Sequence, residues 1–157
     1  MIPVQCAGII IINSDQKVLL QLRDNKPGIP YPNCWVILGG SIEPGESSKE
    51  TILREMREEM NYELVEPLIF FDHRFFSDSA IGYIQECDYY ITTIPQRDSS
   101  QFSINEGQRL SFFGKDDLSS VQCGFDTREV VLHFFEWMPQ HDFSSNHSNK
   151  HLNNPKI

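Results

Sequence analysis

Gly39–Tyr62, GGSIEPGESSKETILREMREEMNY, is the stretch on which the reading of this chain turns. Ile52, Leu53, Met56 and Met60 recur at three- and four-residue spacing, the period of one buried helical stripe. Ser47 followed three residues later by Glu50 fits a capping box, so a helix is predicted from Ser47 to Met60. On that helix Glu55, Glu58 and Glu59 share one face and project from about a single turn, where their charges repel. Gly39 and Gly40 ahead of it offer backbone that can approach a ligand with no Cβ in between.

The rest of the chain sharpens the question of why carboxylates are stacked there. It has 157 residues, 39% of them hydrophobic, enough for one domain with its own core. Acidic side chains number 22 against 13 basic ones, a formal charge of −9 with no basic patch, which argues against a nucleic acid polymer as partner. An anionic small molecule would need a local counter-charge, and a divalent cation supplies one. Cys6, Cys34, Cys87 and Cys123 are scattered, with no CxxC pair and no histidine at zinc spacing, and read as free thiols of a reducing cytoplasm. The apolar start MIPVQCAGIIII lacks a basic flank and is too short to span a bilayer, so it is predicted to be a strand of a cytoplasmic protein with no membrane association.

Val4 to Ile12 and Lys17 to Leu22 are predicted to form a hairpin around Asn13-Ser14-Asp15. RDNKPGIPYPNC, with its three prolines, must be a surface loop leading to the strand Trp35–Leu38. Two long strands, Leu64 to Phe76 and Ala80 to Thr93, are expected to flank a turn at Ser77-Asp78-Ser79, with a further strand at Arg109–Phe113 after a polar loop. TREVVLHFFEWM suggests a closing helix with Asp126 or Thr127 as its N-cap. These elements imply a mixed α/β sheet between helices, a single domain over 1–138 followed by a polar, flexible tail over 139–157 whose three histidines read as solvated.

Gly40 and Gly45 are spaced like the glycines of a phosphate-cradling P-loop, with Ser47 at the hydroxyl position. Glu46 stands where that loop needs a lysine, which argues strongly against it. Hard carboxylate oxygens on Glu55, Glu58 and Glu59 suit Mg²⁺ or Mn²⁺, and Arg54, one turn before Glu58, can hold that side chain by a charge-assisted bond. A glutamate-rich face is also what an ordinary solvated helix presents.

The context decides between the two. Gly40, five residues, Glu46, seven residues, then Arg54-Glu55-Met56-Arg57-Glu58-Glu59-Met60-Asn61-Tyr62 resembles the Nudix box, G-x5-E-x7-R-E-U-x-E-E-x-G-U with U apolar. Every charged position matches. Asn61 replaces the closing glycine, and asparagine is the residue that best tolerates the left-handed conformation needed there. Leu38 precedes the double glycine where many members have proline. The later Glu106-Gly107-Gln108 and Asp116-Asp117-Leu118 fall in the expected order, so the resemblance spans roughly residues 3 to 138.

That resemblance implies a Nudix-type α-β-α sandwich and a MutT-like, metal-dependent pyrophosphohydrolase acting on a nucleoside diphosphate linked to another group. A nucleoside triphosphate, canonical or oxidised, cleaved to monophosphate and pyrophosphate is the leading expectation. A nucleotide-sugar or ADP-ribose hydrolase is the alternative, and a non-catalytic ligand-binding module the distant one. It implies Glu55, Glu58 and Glu59 as ligands of Mg²⁺, with Mn²⁺ as a substitute, and Arg54, Glu55, Glu58 and Glu106 as the catalytic set, the base being left open among Glu55, Glu58 and Glu106. Gly39, Gly40 and Glu46 would serve the phosphate loop, Glu46 as support. Arg23, Phe75 and Asp126 are candidate substrate contacts, as are Lys26, Phe76, Tyr83 and Phe113; at strand spacing each aromatic is more often a core residue, and Asp126 reads first as a helix cap. A homodimer is a possible assembly with no interface visible in the sequence.

Overall fold

The apolar run Ala7–Ile12 has no side that could face water, and the structure covers both of its faces. The computed structural model describes residues 2–65, 67–95 and 99–140. Strand β1 (Val4–Ile12) lies inside a six-stranded sheet together with β2 (Val18–Leu22), β3 (Trp35–Ser41), β4 (Ile69–Asp78), β5 (Tyr83–Thr93) and β6 (Arg109–Phe113). The order across the sheet is β4-β5-β1-β3-β2-β6. β1 runs parallel to β5, and the other pairs are antiparallel. The mixed sheet of the α/β expectation is therefore present, with a helix on each side.

The helices α1 (Ser48–Met60) and α2 (Thr127–Trp137) explain why β1 does not alternate. Ile9 and Ile11 pack with Ile52, Met56 and Met60 of α1, whereas Ile10 and Ile12 pack with Val130, Val131 and Phe134 of α2. A strand buried on both faces is apolar at every position. The predicted α1 starts where expected: Ser47 is the N-cap, its hydroxyl accepting from the Glu50 N–H at 3.2 Å. The helix ends on Asn61 in the left-handed region, φ 49° and ψ 40°, as the asparagine substitution requires.

Three expectations need correction. β1 and β2 are joined by a tight turn, in which Asn13 Oδ1 accepts from the Asp15 and Lys17 N–H groups, but they pair only at Ile12 and Val18. β3 then enters between them, because its apolar residues also need a neighbour on each side. The long strands are β4 and β5 with bounds shifted downstream, and their turn occupies 79–82, where Gly82 supplies the positive φ. Leu64 and Leu68 instead bury beneath α1 as irregular chain. Asp126 holds the N-cap position of α2, yet its carboxylate makes no capping bond.

After α2 the chain makes one 3₁₀ turn, Met138–Gln140. Of the polar tail expected over 139–157, Pro139 and Gln140 belong to that turn, and the rest, with its histidines, lies outside the described residues. Among the described residues no helix is long and apolar enough to cross a membrane.

Phe134 is fully buried and its ring meets Phe71, Phe135 and Trp137, tying α2 to β4. Phe134→Ala is expected to cost about 3–5 kcal/mol, read as a lowered urea midpoint at unchanged slope; a loss below about 1 kcal/mol would show that α2 is not part of the cooperative core.

Candidate active site

The site is organised by one arginine. Arg54 projects from the middle of α1 and grips Glu46 with both prongs, Nε to Oε2 at 2.7 Å and a terminal nitrogen to Oε1 at 3.0 Å. The same guanidinium donates to the Ser41 carbonyl at 3.1 Å, to Glu55 at 3.0 Å and to Glu58 at 3.2 Å. Glu46 in turn accepts from the Thr51 hydroxyl at 2.6 Å and the Glu43 N–H at 3.1 Å. The end of β3, the loop after it and the acidic turn of α1 are thus fastened to a single planar group. The Arg54 bonds, helped by Thr51, hold the Glu46 carboxyl down at about 2, and Glu46 foremost keeps Arg54 firmly protonated.

Next to this clamp, carboxylate oxygens of Glu55, Glu58 and Glu59 come within 4.8 Å of one another. Glu55 is largely buried, and that burial raises its affinity for a proton against the pull of Arg54. Glu58 is open to solvent, its side chain 57% exposed. Glu59 is pushed up to about 7, first by burial, then by a hydrogen bond with Glu106 and by repulsion from Glu106, Glu55 and Glu58. Glu106 therefore stands across from the helix and within reach of it, where the polar loop was expected to bring it. Asn105 makes this possible: its N–H donates to the Glu59 carbonyl at 2.8 Å and its side-chain amide to the Glu58 carbonyl at 2.6 Å. Gln21 supports the loop from the other side by donating to the Glu106 carbonyl.

Whether a divalent cation fits can be judged from the chain itself. The donors are hard oxygens, three on one helical turn, with Glu106 in the same cavity wall. Room beside them depends on Gly40, because a Cβ there would come within 2.3 Å of Glu55 Oε1. Gly39, at φ 148°, could not carry a Cβ either, since it would meet the Ala7 carbonyl oxygen at 2.0 Å. The residues fit a cation of the Mg²⁺ class.

Two cavities meet at these glycines. One of about 310 Å³ is lined by Glu55, Glu59, Glu106, Arg23 and Lys26. The other, of about 360 Å³, lies over the α2 side of the sheet and includes Ile37, Tyr83, Gln85, Phe125 and Asp126. Gln21, Arg23, Gly39 and Gly40 belong to both walls. Asp126 is only 4% exposed. Its Oδ1 accepts from the Tyr89 hydroxyl at 2.6 Å and the Gln85 amide at 3.3 Å, which is why it does not cap α2. Its Oδ2 is buried without a hydrogen bond, the Arg74 Nε standing 3.6 Å away. Burial raises the proton affinity of this carboxyl, and the Tyr89 bond and Arg74 counter it.

The structure thus brings together Arg54, Glu55, Glu58, Glu59, Glu46, Glu106, Gly39 and Gly40, and it places Arg23 and Asp126 on the cavity walls. Phe75 is not among them. It is 67% exposed, its ring edge on His73, and it alternates with Phe76, which faces Tyr31 and Phe125 on the cavity side. Phe113 is core, packed on Trp35. Asn105, Gln21, Gln85, Tyr89 and Phe125 were not singled out by sequence. Phe125 is the one with a structural signature, a φ of 52° in a non-glycine residue just ahead of α2.

A model of the NUDIX domain matches residues 3–155. Over 56 residues the chain is 38% identical to the nucleoside triphosphatase NudI of Salmonella agona, covering 36% of this chain and 38% of that protein. Over 58 residues it is 38% identical to a putative 8-oxo-dGTP diphosphatase of Bacillus subtilis, covering 37% of this chain and 35% of that one. These matches span little more than a third of either relative. In fold it resembles the crystal structure of the MutT protein from Methanosarcina mazei Go1, with a TM-score of 0.71 at 16% identity, covering 88% of this chain and 97% of that one.

Because Glu59 holds its proton to about 7 rather than 4.5, the folded state binds that proton more tightly than the unfolded state does. The stability this confers is present in full below the ordinary carboxylate value and is lost as pH rises through 7. In chelator, Glu59→Gln is expected to raise stability by roughly 1 kcal/mol at pH 8, less than full linkage because solvent screens the group, with little gain at pH 4.5. Thermal melts at the two pH values check this; equal gains at both would contradict it.

Proposed function

The chain belongs to the NUDIX-domain family, and from that premise we propose that it is a metal-dependent pyrophosphohydrolase that cleaves a nucleoside triphosphate to the monophosphate and pyrophosphate. The observation that carries the reading is the joining of the acidic cavity to the larger one across Gly39 and Gly40. A base and sugar fit the larger space while the phosphates run past the glycines to the carboxylates. The names of the two relatives, a nucleoside triphosphatase and a putative 8-oxo-dGTP diphosphatase, support a triphosphate.

In this reading Glu55, Glu58 and Glu59 hold Mg²⁺, with Mn²⁺ able to replace it. The bound cation supplies neutralisation of the charge that develops on the phosphate oxygens. Arg54 does not touch substrate; it fixes the rotamers of Glu55 and Glu58 and is itself fixed by Glu46. Glu106 accepts the proton of the attacking water, which adds to phosphorus as the bridging oxygen leaves. Its place in the cavity wall beside Glu55 and Glu59 suits that role. The close backbone at Gly39 and Gly40 lets the phosphates lie against β3. Arg23, anchored by the Pro30 carbonyl at 2.9 Å and lying over the Phe125 ring at 5.3 Å, meets the phosphate or sugar where the cavities join. Asp126 offers an acceptor to a donor edge of the base, and Phe125 and Tyr83 offer it ring faces.

The test is hydrolysis of a panel with Mg²⁺ or Mn²⁺: canonical and oxidised triphosphates, nucleotide sugars, ADP-ribose and dinucleoside polyphosphates. Expected is turnover of at least one triphosphate with pyrophosphate as product. Glu58→Gln should lower kcat by about a hundredfold or more with cation affinity, and Glu106→Gln should lower kcat by a similar order with cation affinity largely retained. Asp126→Asn should raise KM about tenfold for the preferred base, since an amide presents a donor where the carboxylate only accepts. A protein that binds Mg²⁺ yet turns over no triphosphate would sink the proposal.

A further inference from the structure

Cys6 and Cys87, far apart in the chain, are direct partners in the parallel β1–β5 ladder. Register partners on neighbouring strands point to the same side of the sheet, with backbones about 4.8 Å apart. That spacing lies within the Cα range a disulfide spans. Both cysteines are free; the Cys6 thiol donates to the Glu86 carbonyl at 3.6 Å and the Cys87 thiol to the Asp88 carbonyl at 3.8 Å. Both also line the larger cavity, beside Gly8 and Tyr89. Cys6 is partly exposed there, whereas Cys87 is 4% exposed. Neither thiol has a part in the hydrolysis proposed above.

We propose that Cys6 and Cys87 form a redox-active dithiol in the floor of this cavity, a modification site that a hydroperoxide closes to a cross-strand disulfide. Cys6, the accessible thiol, loses its proton to solvent, and its sulfur attacks the peroxide oxygen. The O–O bond breaks, leaving a sulfenic acid on Cys6 and releasing an alcohol, or water when the oxidant is hydrogen peroxide. The Cys87 sulfur then attacks the Cys6 sulfur, the S–O bond breaks, and the departing hydroxide takes the Cys87 proton as water. Two electrons pass from the sulfurs to the peroxide. The order follows from the surroundings: Cys87 is 4% exposed while Cys6 is partly open to the cavity, and the neighbouring Cys6 and burial keep the Cys87 thiol protonated, so it is the resolving partner. Closure draws two sulfurs together in the floor of the cavity that Gly39 also lines and removes the thiol hydrogen that Cys6 donates to the Glu86 carbonyl. The effect on turnover rests on the proposed hydrolase function; the thiol chemistry does not.

The experiment treats the reduced full chain with hydrogen peroxide and counts thiols, with peptide mapping by mass spectrometry. Expected is loss of two of the four thiols, a linked peptide pair containing Cys6 and Cys87, and full reversal by dithiothreitol. Cys6→Ser, at the more exposed position, should abolish the link, which keeps the test decisive if Cys87→Ser does not fold. Turnover of the active triphosphate should fall at least about threefold in the linked protein and recover on reduction. Four intact thiols, or a link joining Cys34 to Cys123, would overturn the proposal, and a linked protein with unchanged turnover would overturn its coupling to the cavity. Absence of turnover before oxidation would count against the hydrolase reading alone, with the thiol count still deciding this one.

Discussion

The bidentate grip of Arg54 on Glu46 is the constraint on which the rest of the site depends. Without it, a short helix carrying three carboxylates on one turn would have no fixed relation to the strand before it. With it, Ser41 at the end of β3, the loop at Glu43 and Glu46, and the acidic face of α1 become one rigid piece. An arginine suits this position because its planar fork satisfies several acceptors at once and stays charged beside them. The clamp also divides the acidic residues by role: Glu46 is spent on Arg54 and held ionised, while Glu59, buried and crowded by Glu106, Glu55 and Glu58, holds its proton more tightly.

That division answers the question raised by the sequence. Carboxylates crowded beside a single arginine are costly in an empty site, and the cost is concentrated on Glu59 rather than spread evenly. On the proposed reading a cation of the Mg²⁺ class would relieve it, and that cation would draw a polyphosphate that an acidic protein otherwise repels. The larger cavity follows a similar logic on the other side of Gly39 and Gly40. Asp126 is buried there with one oxygen satisfied by Tyr89 and Gln85 and the other without a hydrogen bond, 3.6 Å from the Arg74 Nε.

What the sequence showed best was local. The α1 stripe, its Ser47 start, its Asn61 end and the strand Arg109–Phe113 were legible because period and capping depend on neighbours a few residues away. Glu106 was singled out by the order of segments that the resemblance implies, not by a fixed spacing, and Asn105, which pins that loop to α1, carried no signal. Long-range pairing was hidden. β1 and β2 look like a hairpin until β3 competes for both, and Cys6 and Cys87 become partners only through the β1–β5 register. Phe75 and Phe76 could not be told apart either, since the irregularity between Phe70 and Asp72 in the β4–β5 ladder resets which residues face the cavity. Asp126 had the sequence context of a cap, and a tyrosine from β5 drew its side chain elsewhere.

The most direct test of this account is the number of protons released when Mg²⁺ is added to the weakly buffered full chain at pH 6. If the carboxylate cluster is a cation site whose Glu59 holds a proton up to about 7, binding should expel close to one proton per chain, and the release should vanish well above that pH. Binding of Mg²⁺ with no proton released at pH 6, or no binding at all, would contradict it, leaving the turn of α1 as an ordinary solvated acidic face.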